Sequence, residues 1–363
     1  MAGAAATAVF ALAPGAQAGA DGSFIGNFHT LSTVASTVPA NGDVNPYGMA
    51  VVQQSVGALV QGDVLISNFN SVKNTQGTGT TIVQVSPQGA VSVFAQIKAS
   101  DLHGSCPGGV GLTTALGILR DGWVVVGSLP TKDGTAATAK AGCLIVLNNQ
   151  GQVAETFAGK DGIDGPWDMA VVNHGPLSEL FVTNVMKGTV AANGSVVDNG
   201  TVQRLILLVG PSQPPALINS ATIGSGFPQR TDPAALVVGA TGDAVGSNGT
   251  LYVANALDNS IAAIPNATWR TTSAGTGNTV SSGGKINDPL GLTMAPNGDI
   301  LTVNGANGLV VETTPQGKQI ANKFLDKSGS PPGSGALFGL VVAPEGDGLY
   351  YVDDATNTMN LLH

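Results

Sequence analysis

The stretch from Asp288 to Ile320, DPLGLTMAPNGDILTVNGANGLVVETTPQGKQI, decides the fold. It opens with a short apolar run after Pro289 and turns at Asn297-Gly298. A second run, ILTVN, follows, then a third, LVVETT, ending at Gln316-Gly317. Runs of about five residues rich in Val, Ile, Leu and Thr, separated by Asn-Gly or Gln-Gly, read as antiparallel strands joined by tight turns. Gly supplies the positive φ that such turns need.

The same phrase recurs along the chain. First runs begin at Asn45 (NPYGMAVV), Ala115 (ALGIL), Gly165 (GPWDMAVV), Asp232 (DPAALVV), Asp288 (DPLGLTM) and Leu337 (LFGLVV). Second runs begin at Gly62, Gly122, Ser178, Gly249, Gly298 and Gly348, and a third run follows each. AVSVFAQI and QVAETFAG supply a fourth strand to the first two units. Self-similarity at this period marks a repeat architecture. The sixth unit runs out at His363 before a fourth strand, and GSFIGNFHTLSTV, from Gly22 to Val34, resembles the missing one. A strand donated from the N-terminal side would close the ring and remove its open edges. The expectation is an all-β, six-bladed β-propeller of four-stranded antiparallel blades, a single domain over residues 22–363. DKSGSPPGSG, from Asp326, reads as a loop between blades five and six.

The pattern P-x-G-[LM]-x-[VM], followed by N-G-[DG]-[IL]-x-V, resembles the NHL repeat. More loosely, it is similar to the calcium-dependent lactonase and gluconolactonase group. The resemblance covers residues 22–363 and is clearest at Asp288–Gly317, with the second and fourth units the poorest copies. It implies the propeller fold. In the lactonase-like relatives it also implies metal ligands at the residue between Pro and Gly. The equivalent positions read here as Tyr47, Leu116, Trp167, Ala234, Leu290 and Phe338, none of them Asp, Glu or Asn. That departure removes the family's metal site, because calcium needs several converging oxygens.

What stands at the channel mouth is aromatic: Tyr47, Trp167 and Phe338. These side chains fit either plain filling of the channel or an aromatic-lined ligand site. Beside them are Asp168, which replaces Gly in PWDM, and Asp232 and Asp288, which like Asn45 precede a proline. Asp and Asn before Pro make turn hydrogen bonds. A ring of such oxygens could also hold a cation, so calcium is a possible cofactor and no other is expected. Asp353 and Asp354 read as turn residues of the last blade.

Other chemistries lack their residues. The four histidines have no metal-ligand spacing, no Ser sits in a G-x-S-x-G elbow, and no Gly-rich loop carries a phosphate-loop Lys. With a net charge of -9, 14 Lys+Arg and no basic cluster, nucleic-acid binding is not expected. Residues 1–20, small and apolar and ending in Ala16-Gln17-Ala18, read as a signal peptide without its basic region, or as a disordered tail. No other segment is long enough to span a membrane. A secreted or periplasmic location follows, and there Cys106 and Cys143 can form a disulfide, with two buried thiols as the alternative.

Blades one to three carry long connections between second and third strands, at 70–80, 129–141 and 187–200. Long loops on a rigid scaffold are where binding concentrates. The sequence therefore reads as a monomeric binding module acting through that face and the channel mouth, with a protein, glycan or small molecule as partner. The alternative is a metal-dependent lactonase, hydrolase or lyase using Asp168, Asp232 and Asp288.

Overall fold

In the computed structural model, which describes residues 22–363, six antiparallel sheets are arranged as the blades of a propeller. Blade one runs Val44–Val51, Val64–Asn70, Thr81–Val85 and Val91–Gln96 from the channel outward. Blades two, four and five repeat this four-stranded meander. The first strands of adjacent blades pack edge to edge around the axis, and blades one, four, five and six carry a glycine where they touch. A Cβ at Gly48, Gly291 or Gly339 would lie 2.0–2.5 Å from a carbonyl oxygen of a neighbouring first strand. Apolar layers between blades, built from strand residues that are essentially fully buried, form the core.

The predicted turns are present. Gly89, Gly151, Gly298 and Gly317 all have φ between 74° and 92°, the region that excludes most side chains. Ring closure is also as expected. Leu31–Ser36 pairs with Thr358–Leu362 and completes blade six, while Ile25–Asn27 forms a 3-10 turn ahead of it. Glu312 of blade five, fully buried, accepts the amides of Phe24 and Ile25 and so anchors this N-terminal strap. The segment read as a signal peptide lies outside the described residues. Among the described residues no helix is long and apolar enough to cross a membrane.

Two units depart from the sequence reading. The first strand of blade four is Ala240–Val245, eight residues beyond the predicted Asp232. The DPAALVV run belongs to blade three. Its outer strand, Ala216–Asp232, is 17 residues long and extends past the sheet, and Leu236–Val238 folds back on its end with Arg230 opposite Val238. The apolar run matched the repeat because it too must be buried, but it is buried as a hairpin over the channel. In blade two, one extra residue sits in the bulge of the first strand. There Leu112 to Leu116 spans the register step that Pro46 to Met49 spans in blade one. Thr114, not Leu116, thus stands where Tyr47 does, and Thr241 replaces Ala234.

Candidate functional site

The loops that lead into the first strands surround a cavity of about 350 Å³ at one end of the channel. Tyr47, Trp167, Leu290 and Phe338, each only 6–7% exposed, form its floor. Tyr47 stacks on Phe338 with ring centroids 3.9 Å apart, and on Phe69 at 4.6 Å on its other face. The stack follows from the repeat, because equivalent positions of adjacent first strands project to the same level of the channel. The hairpin after Arg230 roofs part of the floor. Leu236, 1% exposed, packs with Val237 into the cluster that holds Tyr47, Trp167 and Phe338.

The rim is polar. Asn45 and Asp288 each stand directly before a first-strand proline with φ of 62° and 54°. Each is held there by an asparagine of the preceding blade. The Asn45 amide donates to Asn357 Oδ1 at 2.7 Å, and the Asp288 amide donates to Asn259 Oδ1. Left-handed backbone before proline is uncommon and is tolerated best by Asn and Asp. The two latches thus fix two polar side chains at the cavity. Asn45 Oδ1 is buried without a hydrogen-bond partner of good geometry, although the Asn45 side chain is near enough to the Tyr47 hydroxyl to ease its ionisation. Asp232 forms an ion pair with Arg230 at 2.9 Å and accepts the amides of Ala234 and Ala235, so the turn role expected of it is present.

Burial pushes the Asp288 carboxyl up to about 6, with the Asp232 charge adding to this and Arg230 opposing it. Burial, then the Asp353 charge, pushes Asp354 up to about 7. Burial likewise raises the Tyr47 hydroxyl. Two carboxyl groups at the mouth therefore change charge close to neutral pH.

Of the sequence-predicted residues, Tyr47, Trp167, Asp232, Asp288 and Phe338 come together around this cavity. Asp168 does not join them: it lines a different cavity at the far end of the channel. Sequence reasoning missed Arg230, Asn259 and Asn287, and took Asp354 for a turn residue, although it lines the mouth. Asp353 does act as a turn acceptor for Thr356. Arg230 and Asn287 could have been found from their position beside Asp232 and Asp288.

The residues at the lactonase-type metal positions do not fit calcium. With the register corrected they are Tyr47, Thr114, Trp167, Thr241, Leu290 and Phe338, and the Thr241 hydroxyl is committed to Pro289 O at 2.7 Å. Asp168, Asp232 and Asp288 do not converge on one point. Among the described residues no group of three or more His, Cys, Asp or Glu side chains is placed to share an ion.

A short groove of about 320 Å³ runs beside the mouth, between the blade-two loop at Gly134–Ala136, the blade-three loop at Asn193–Gly194 and the Thr231–Pro233 turn. The blade-one loop meets the same turn through Gln76 Nε2 donating to Ala234 O at 2.9 Å. The three long loops therefore gather on the face that holds the mouth. Cys106 and Cys143 are disulfide-bonded, tying the approach to blade two to that blade's third strand.

Comparison with known proteins places the fold. No protein-family model matches the chain, and no curated protein matches it in sequence. Among solved structures, a gluconolactonase from Xanthomonas campestris is similar at 14% identity with a TM-score of 0.54, covering 92% of this chain and 88% of that one. The calcium-binding protein regucalcin from Agrobacterium tumefaciens aligns at 12% identity with a TM-score of 0.57, over 92% and 93% of the two chains. Virginiamycin B lyase from Staphylococcus aureus aligns at 13% identity with a TM-score of 0.50, over 92% and 98%. The gluconolactonase and regucalcin neighbours are six-bladed propellers of one type, and at these identities the likeness is one of fold.

Proposed function

We propose that this chain is a binding propeller whose site is the mouth cavity, and that its ligand is a small hydroxyl-rich molecule of the sugar or sugar-lactone class. One observation carries the reading: a flat aromatic floor and a polar rim meet in one cavity of about 350 Å³. Aromatic faces take the apolar face of a ring. Asn45, Asn259, Asn287 and the carboxylates offer the mixed donors and acceptors that hydroxyl groups require. The unpartnered Asn45 Oδ1 is a ready acceptor. The long loops of blades one to three form the approach to this site. The P-x-G and N-G-D phrases support an NHL-like reading of the blades. The disulfide supports an oxidising, exported setting, and the closed ring supports a monomer.

The test is calorimetric titration of a panel of monosaccharides and their lactones. Saturable binding that Trp167→Ala and Asp288→Asn each weaken at least about tenfold supports the reading. Binding that neither change affects refutes it.

A second reading, hydrolysis of a bound lactone or ester, is favoured by the near-neutral carboxyls of Asp288 and Asp354. A carboxylate with a pKa near the working pH is suited to taking a proton from an attacking water. The X. campestris neighbour is described as a gluconolactonase, which makes lactones the first substrates to try. No step here runs through a metal. Turnover that rises with a midpoint near pH 6–7 and is lost in Asp288→Asn or Asp354→Asn would establish this reading over simple binding. Turnover that needs added calcium and ignores both changes would remove it.

A further inference from the structure

At the other end of the channel lies a second cavity of about 270 Å³, which shares no lining residue with the mouth. Its lining mixes polar backbone and side-chain surface with the apolar side chains of Met49, Leu116, Met169, Leu292, Met294 and Leu340. Two carboxyl groups are set into this surface: Asp168 of blade three and Asp243 of blade four. No Lys, Arg or His lines the cavity. Asp168 accepts the Met169 amide at 2.9 Å. Asp243 is only 4% exposed, and neither of its oxygens has a hydrogen-bond partner of good geometry, although the Ala170 amide is near enough to ease its ionisation. Thr114 of blade two lines the same cavity, is 4% exposed, and its hydroxyl is also unpartnered.

Buried polar groups are nearly always paired, and an unpaired one costs on the order of 1–3 kcal/mol. Here a carboxyl and a hydroxyl on different blades are left unpaired at one cavity. We propose that the far-end cavity binds a small organic ammonium ion, its nitrogen held by Asp168, Asp243 and Thr114 and its hydrocarbon body lying against the methionine and leucine walls. A primary ammonium has three N–H donors, and three acceptor groups are present. Calcium takes six to eight oxygens and is poorly served by thioethers and leucines. Burial holds both carboxyls above the ordinary aspartate range, that of Asp168 at about 8, and the Asp168 charge raises Asp243 further, so the pair carries a proton at neutral pH. An arriving cation favours the ionised pair, and a proton leaves to solvent.

The probe is n-butylammonium chloride, titrated calorimetrically into the full chain at pH 7 in two buffers of different ionisation enthalpy. n-Butanol, sodium chloride and calcium chloride serve as comparisons. The proposal expects saturable one-to-one binding at millimolar butylammonium with net proton release. It expects n-butanol to bind at least about tenfold more weakly. Asp243→Asn and, separately, Thr114→Val should weaken the amine, the first by about tenfold or more. Asp198→Asn, an exposed carboxylate on the mouth face that lines neither cavity, should leave it unchanged. If Asp243→Asn does not fold, Asp168→Asn and Thr114→Val decide. Absence of butylammonium binding at millimolar concentration overturns the proposal. So does equal binding of butanol, calcium binding in place of the amine, or amine binding that survives all three substitutions.

Discussion

The mouth is built by residues whose roles come from their neighbours as much as from their own chemistry. Asn45 and Asp288 could be singled out in the sequence because each stands before a first-strand proline. Asp354 could not, because its place at the mouth depends on where blade six closes. Asp243 was hidden for another reason: its strand, ATGDAV, lacks the proline that marks most of the others. The raised carboxyls have a thermodynamic consequence. Between about pH 4 and pH 7 the folded protein keeps protons on Asp288 and Asp354 that the unfolded chain has already released. Folding stability therefore falls as pH rises through that window. Asp354→Asn is expected to flatten the fall by about 1 kcal/mol or more. Urea denaturation at acid and neutral pH measures it, and an unchanged pH slope would show that Asp354 carries no such burden.

At the scale of elements, the blade-three hairpin is the main surprise. Its apolar run satisfied the repeat pattern, so periodicity alone placed it in blade four. The competing signal was the length of the strand before it, which no local pattern encodes. Leu236 adopts φ of 63°, costly for leucine, and is paid back by packing against the aromatic floor. Leu236→Ala is expected to cost about 2–4 kcal/mol and to expose the floor. A red shift in tryptophan emission, absent in Leu236→Ala/Trp167→Phe, would report that exposure. An unshifted spectrum would mean the roof does not depend on Leu236. The disulfide is the other element-scale device. It closes a loop with a sequence separation of 37, so opening it should cost about 3–4 kcal/mol by the chain-entropy relation. Comparison of Cys106→Ser/Cys143→Ala with the oxidised protein in urea gives the value, and equal midpoints would contradict the estimate.

For the molecule as a whole, the propeller was legible because one phrase is repeated with its turn glycines. The closing strand was legible because the last unit is one strand short. The anchor of the strap was not, since Glu312 lies nearly 290 residues from the amides it accepts. Glu312→Ala leaves two buried amides without an acceptor and should cost about 1–3 kcal/mol, seen as a lower urea midpoint. The same repetition brings equivalent loop and strand positions of different blades to one point, which is how Tyr47, Trp167 and Phe338 meet Asp288 and Asp354. The account rests on that meeting being a binding site. A crystal of the protein soaked in a mixture of monosaccharides and a six-carbon sugar lactone tests it most directly. The account predicts a sugar ring over the Tyr47–Trp167–Phe338 floor, with hydroxyls on Asn45 and Asp288. A mouth holding only water while sugar binds elsewhere, or a divalent ion seated between Asp288 and Asp354, would contradict it.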